Sequence, residues 1–172
     1  MSGTHGSSQD LEARLHALLE PVVRDAGLFL EDVAVTGSAR RQVVRVTVDL
    51  ADGPGGVSSD VLADASRDVS TALDGVDNLL ADAYLLEVST PGIDRPLTQA
   101  RHFRRAEGRL VTLHTADGEV TARVTGVEGE AVQLLDERAP GGPRSLTVPL
   151  GSITRGQVEV ELNRVADATD ER

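Results

Sequence analysis

The stretch Tyr84–Leu97, YLLEVSTPGIDRPL, organises the chain around itself. Tyr84, Leu86 and Val88 fall on one side of an extended backbone, and Leu85, Glu87 and Ser89 on the other. That is the period-2 pattern of a half-buried strand. The chemistry then changes within one residue. Thr90 precedes a proline and is held extended. Pro91 fixes its own φ, and Gly92 is placed to take the positive φ of a type II turn. Arg95-Pro96 repeats the restriction a few residues later. A segment bounded by two prolines sets a direction instead of acting as a loose tether. Asp94 and Arg95 stand on this stiff part, where a partner can read them. The plainer alternative is that the pair only caps and ties its neighbours.

Working back from this connector, residues 10–91 divide into helix, strand, strand, helix and strand. Leu11, Leu15, Leu18, Leu19, Val22 and Val23 recur at helical spacing over residues 9–26. Asp10 and Glu12 fall in the first turn of that helix, where the dipole favours negative charge. Pro21 is expected to kink it or end its regular part, and Gly27 to stop it. Strand patterns follow at 28–35 and 42–49, with Gly37-Ser38-Ala39 as the hairpin loop. The loop ADGPGG (51–56) has neither a Walker lysine nor the acidic ladder of a calcium loop, so it reads as a loop only. Ser58 is the expected N-cap of a second helix over 59–74, with Val57 and Leu62 as a hydrophobic staple. Val61, Leu62, Ala65, Val69, Ala72 and Leu73 make its apolar stripe. A right-handed crossover then puts both helices on one face of a three-stranded sheet. Arg45, Thr47, Asp49, Glu87 and Ser89 are left on the other face.

Beyond the connector, Thr98 is expected to cap a short helix that ends near Arg105 and closes at Gly108. Five short strands follow, at about 109–114, 119–127, 131–136, 145–149 and 153–161. Tight turns fall at Asp117-Gly118 and Gly129-Glu130, and a floppy loop at 137–144, ERAPGGPR. Such spacing argues for a small barrel of the SH3-like or Sm-like kind. The fold class is therefore α+β: a lead-in at 1–9, an α/β domain at 10–91, a connector at 92–97, a small β-barrel at 98–163 and a tail at 164–172. Both ends read as disordered.

Composition limits the function. The chain has no cysteine, which rules out disulfides and thiolate metal sites and fits a reducing compartment. No apolar run is long enough to span a membrane, and the first ten residues lack the features of a secretory signal. The net charge is −11. Residues 1–94 hold 6 Arg against 16 acids, and residues 95–172 hold 11 Arg against 12. Arg95, Arg101, Arg104, Arg105 and Arg109 cluster with only Glu107 among them. Phosphate affinity comes mainly from Lys and Arg, so a chain this acidic is a poor general nucleic-acid binder and a natural mate for a very basic protein. The arginine cluster can meet phosphate, or it can be a solvated helix face.

A catalytic site is not evident. His5, His16, His102 and His114 show no metal-ligand spacing. Ser89, Asp94 and His102 can be written as a triad, but no nucleophile elbow or oxyanion motif accompanies them. Binding is favoured over chemistry.

Taken in order, the motifs EPVVRDAG, VTVD, GGVSSDVLADASRDVSTALD, LLEVSTPGIDRPL, FRRAEG and VPLGSITRG resemble the bacterial ribosome maturation factor RimP family over about residues 10–162. The loop ERAPGGPR and the tail ELNRVADATDER depart from it. The resemblance implies an α/β domain followed by an SH3-like barrel and no catalysis. It implies a cytoplasmic, monomeric protein without cofactors. Its partners would be the free small (30S) ribosomal subunit, the basic decoding-centre protein (the twelfth of that subunit) and nearby ribosomal RNA. On that footing Pro91, Gly92, Asp94, Arg95, Pro96, Arg101, Arg104 and Arg105 are the candidate partner-binding residues, with Ser58 and Thr98 as structural caps. The competing readings are a stand-alone RNA-binding Sm-like module, which the near absence of aromatics for base stacking opposes, and a hydrolase dependent on Ser89.

Overall fold

The computed structural model describes residues 4–38, 40–76, 78–80 and 83–161. The tail at 164–172 and the side chain of His5 lie outside the described part. Two compact units emerge, one of residues 1–51 and 55–91, the other of Asp52–Pro54 and Gly92 onward.

The first unit is a helix layer on a sheet. Helix α1 (Thr4–Asp25) buries Leu15, Leu19 and Val23 completely. It starts earlier than its apolar stripe suggests, so residues 4–9 are helical and not a disordered lead-in. In consequence Asp10 and Glu12 lie beyond its first turn. Pro21 sits inside the helix, which runs on to Asp25. Buried Leu19 and Val23 on either side of it hold the backbone against the sheet. The helix ends where Gly27 N–H bonds Arg24 O at 2.9 Å and Leu28 N–H bonds Val23 O at 3.1 Å, the paired bonds of a Schellman motif.

Strands β1 (Phe29–Ser38) and β2 (Arg41–Asp49) form an antiparallel hairpin. Gly37 is needed there: a Cβ would stand 2.1 Å from the carbonyl oxygen of Arg41, and φ is +87°. Helix α2 (Ser59–Asp74) crosses over and returns the chain as β3 (Tyr84–Ser89), parallel to β2. Ser58 Oγ accepts from Val61 N–H at 3.3 Å, an N-cap worth about 1 kcal/mol. Val57 and Leu62 pack on the core beside it. Ala65, Val69 and Leu73 are buried under α2, whereas Val61 is 39% exposed and does not belong to the stripe. Both helices share one core with Val44, Val46 and Val48 of β2, which places them on one face of the sheet. On the opposite face Arg45 pairs with Glu87 at 3.1 Å. Asp49 departs from the expected outer row, being 4% exposed, with Oδ1 accepting from Leu50 N–H at 2.9 Å. It ends its strand where the chain turns, so alternation no longer decides its burial.

The second unit contains α3 (Ala100–Arg105), β4 (Leu110–Thr115), β5 (Gly118–Glu128), β6 (Ala131–Asp136), β7 (Arg144–Pro149) and β8 (Ile153–Val158). The strands form one antiparallel sheet in the order β7-β6-β5-β4-β8, the small β domain expected from the strand spacing. Phe103 fills its core with Leu97, Val111, Leu113, Val124, Val132 and Leu134. The cap of α3 is Gln99 and not Thr98. His102 Nδ1 reaches back to accept from Thr98 N–H at 3.1 Å and Gln99 N–H at 3.3 Å, which moves the helix start one residue on. The loop at 137–144 is tied down instead of floppy. Ala139 is 9% exposed, Gly142 N–H bonds Ala139 O at 3.1 Å, and Arg138 N–H bonds Asp136 Oδ1 at 3.0 Å.

Candidate functional site

Strand β3 hands over to the candidate site through Thr90-Pro91. Gly92 opens the turn and does not occupy its positive-φ position: Arg95 N–H bonds Gly92 O at 3.2 Å, so Ile93 and Asp94 are the central residues. Gly92 has no positive φ, and a Cβ there would meet nothing nearer than Asp94 N at 3.9 Å. The turn therefore displays Ile93, 53% exposed, and the exposed Asp94, while Arg95 is half-buried. Pro91 is half-buried and Pro96 exposed. The turn is anchored at Leu97, which is 2% exposed and donates its N–H to Gly156 O at 2.8 Å. Gly156 admits that approach because a Cβ would press at 3.1 Å on both Leu97 and Leu113.

The arginines that follow are already occupied. Arg104 Nε bonds Asp52 Oδ1 at 2.8 Å, and Arg105 donates to Gly53 O at 2.5 Å. The Asp52 carboxyl is held below the usual range, first by the N–H of Gly53 and then by Arg104. Arg101 is half-buried and engaged as well. Arg104 and Arg105 of the linear cluster are thus bonded within their own unit. Of the group, Arg109 alone is exposed with no side-chain bond among the described residues.

One arginine that spacing does not single out has the most complete set of bonds. Arg123 on β5 uses all five N–H donors. Nε and one terminal nitrogen bond Glu137 at 2.7 and 3.2 Å, the terminal nitrogens bond Glu161 at 3.2 and 2.8 Å, and one also bonds Gly108 O at 3.0 Å. Its guanidinium pKa is raised, first by Glu137 and then by Glu161. The partners lie 14 and 38 residues away, so no sequence spacing signals them.

The combination of Ser89, Asp94 and His102 is opposed by the contacts of its histidine. His102, 8% exposed, has Nδ1 committed to two backbone N–H groups, and so cannot use that nitrogen as the base of a triad. Among the described residues no three His, Asp or Glu side chains are grouped to hold a metal. Likewise, no described helix is long and apolar enough to cross a membrane.

The sequence matches the model of the RimP N-terminal domain over residues 18–94. Two curated relatives are similar over nearly the whole chain, both named ribosome maturation factor RimP. The protein of Parafrankia sp. is 39% identical, with 96% of this chain and 62% of the relative covered. That of Frankia casuarinae is 42% identical, with 99% and 66% covered. The chain therefore spans a little under two thirds of the length of these relatives. With the matched domain ending inside the turn after Pro91, and identity continuing through the β unit beyond it, the chain belongs to the ribosome maturation factor RimP family.

Proposed function

We propose that this protein binds the free small (30S) ribosomal subunit and assists its assembly without catalysis. The observation that carries the reading is the charge of the first 94 residues, 16 acids against 6 Arg. Several of those acids face solvent. Asp60 and Asp68 on α2 are exposed with no side-chain bond among the described residues, and Asp64 between them pairs with Arg67. A surface of this sign suits a very basic partner, which favours the basic decoding-centre protein (the twelfth of the subunit) as the main contact. Pro91, Gly92, Asp94, Arg95 and Pro96 would present the turn to it, and Arg101, Arg104 and Arg105 would meet nearby ribosomal RNA. Because Arg104 and Arg105 are bonded at home, phosphate gains only the difference between two sets of bonds. The protein would act as a monomer in the cytoplasm.

The test is co-sedimentation with free small subunits, mature subunits and complete ribosomes. Binding is expected to free small subunits and to be lost on complete ribosomes. Equal binding to all three, or none, would overturn the proposal. A free RNA-binding module is disfavoured by a specific feature: the sole Phe, Tyr or Trp after Tyr84 is Phe103, which is 0% exposed, so no Phe, Tyr or Trp ring in the second unit is available to stack on a base.

A further inference from the structure

The two edges of the three-stranded sheet differ. Strand order is β1-β2-β3, so β1 and β3 each have one side without a neighbouring strand. An open edge shows a row of unpaired N–H and C=O groups and is a template for another strand. The β1 edge is protected twice. A register shift between Leu30 and Asp32 makes Glu31 an extra residue, the bulge that bends an edge away from pairing. Glu12 of α1 also takes the outward N–H of Val35, at 3.0 Å.

The β3 edge has neither device. Its six residues pair with β2 in unbroken register from Gln42↔Tyr84 to Thr47↔Ser89, with no bulge and no proline inside the strand. Its single charged side chain, Glu87, leans back onto Arg45. Leu85 is 58% exposed beside its register partner Val43, an apolar handle next to the open backbone. No described residue takes up a strand position beyond it.

We infer that the β3 edge of this sheet accepts an extended, Arg- or Lys-containing segment of the small-subunit protein partner as a fourth strand. Backbone bonds to β3 supply affinity, and the Leu85 side takes an apolar residue of the segment. The segment must be basic because the unit that receives it is strongly acidic, with Asp74 beside Tyr84 at the start of the strand. The inference rests on the proposed binding of small subunits and names the partner's conformation and its seat.

The experiment measures amide hydrogen exchange of the full chain alone and with purified free small subunits, alongside the affinity of Leu85→Lys and Leu85→Ser. Both variants change an exposed side chain, and thermal melting checks that they fold. Binding with new protection at residues 84–89, and a loss of about tenfold or more for Leu85→Lys exceeding that for Leu85→Ser, is the expected result. Binding that leaves exchange at 84–89 unchanged overturns the strand-addition inference while the small-subunit reading stands. Absence of binding overturns both. Protection at 84–89 that appears without subunits and rises with protein concentration identifies a second copy of this chain as the occupant, and also overturns the inference.

Discussion

The two units differ in how much of their charge is paired. In the first, apolar packing and backbone geometry do the holding, and carboxylates such as Asp60 and Asp68 stand in solvent. In the second, arginines are paired at home: Arg104 goes to Asp52, Arg105 to Gly53, and Arg123 to Glu137 and Glu161. A count of arginines therefore overstates what the second unit offers a phosphate. On the proposed function, the acidity of the first unit is the charge that a basic partner would meet.

The comparison can be broken first at Arg123. Leu in its place should destabilise the second unit by about 2–3 kcal/mol, below the figure for a fully buried pair because Glu137 is partly solvated. Chemical denaturation checks this, and a change under about 0.5 kcal/mol would show that the network is ornamental. The first unit should instead be most sensitive in its backbone. Gly37→Ala forces a Cβ toward Arg41 O in a left-handed conformation and should cost about 1–3 kcal/mol by the same assay. The double change Asp60→Asn with Asp68→Asn should leave stability within about 0.5 kcal/mol while weakening binding to small subunits. Parallel loss of stability would mean these carboxylates belong to the fold.

The smallest effect concerns Asp52. Its folded pKa lies below the unfolded value of about 3.9, so its contribution is present above that value and is lost as pH falls through the folded one. Acid titration of the wild type against Asp52→Asn should show the two stability curves converging below about pH 4. Curves that stay parallel would remove the carboxylate from the stability balance.

Element order is legible in the sequence because it depends on local periodicity. The α2 limits and the five strands of the second unit follow from apolar spacing and turn residues alone. Sequence and structure part where a distant group overrides a local preference. Glu12 reads from sequence as a dipole partner, but it lies beyond the first turn and reaches Val35 on β1. Thr98 has the chemistry of an N-cap, yet His102 satisfies the start of α3 from inside the helix. Gly92 suggests a positive φ at the third position of a turn, but the turn uses it as its first residue. The arginines are visible as a cluster, while their bonding is not, since Asp52 and Gly53 stand 52 residues before Arg104 and Arg105.

The most direct test sets two charge reversals side by side in binding to free small subunits across a salt series. One carries Asp60→Arg with Asp68→Arg, the other Arg104→Glu with Arg105→Glu. The acidic-face variant should lose the larger share of affinity. The arginine variant should lose less and flatten the salt dependence by about 0.9 per phosphate contact removed. If the arginine variant abolishes binding and the acidic-face variant binds like wild type, the second unit carries the interaction and the acidic surface is not the docking face.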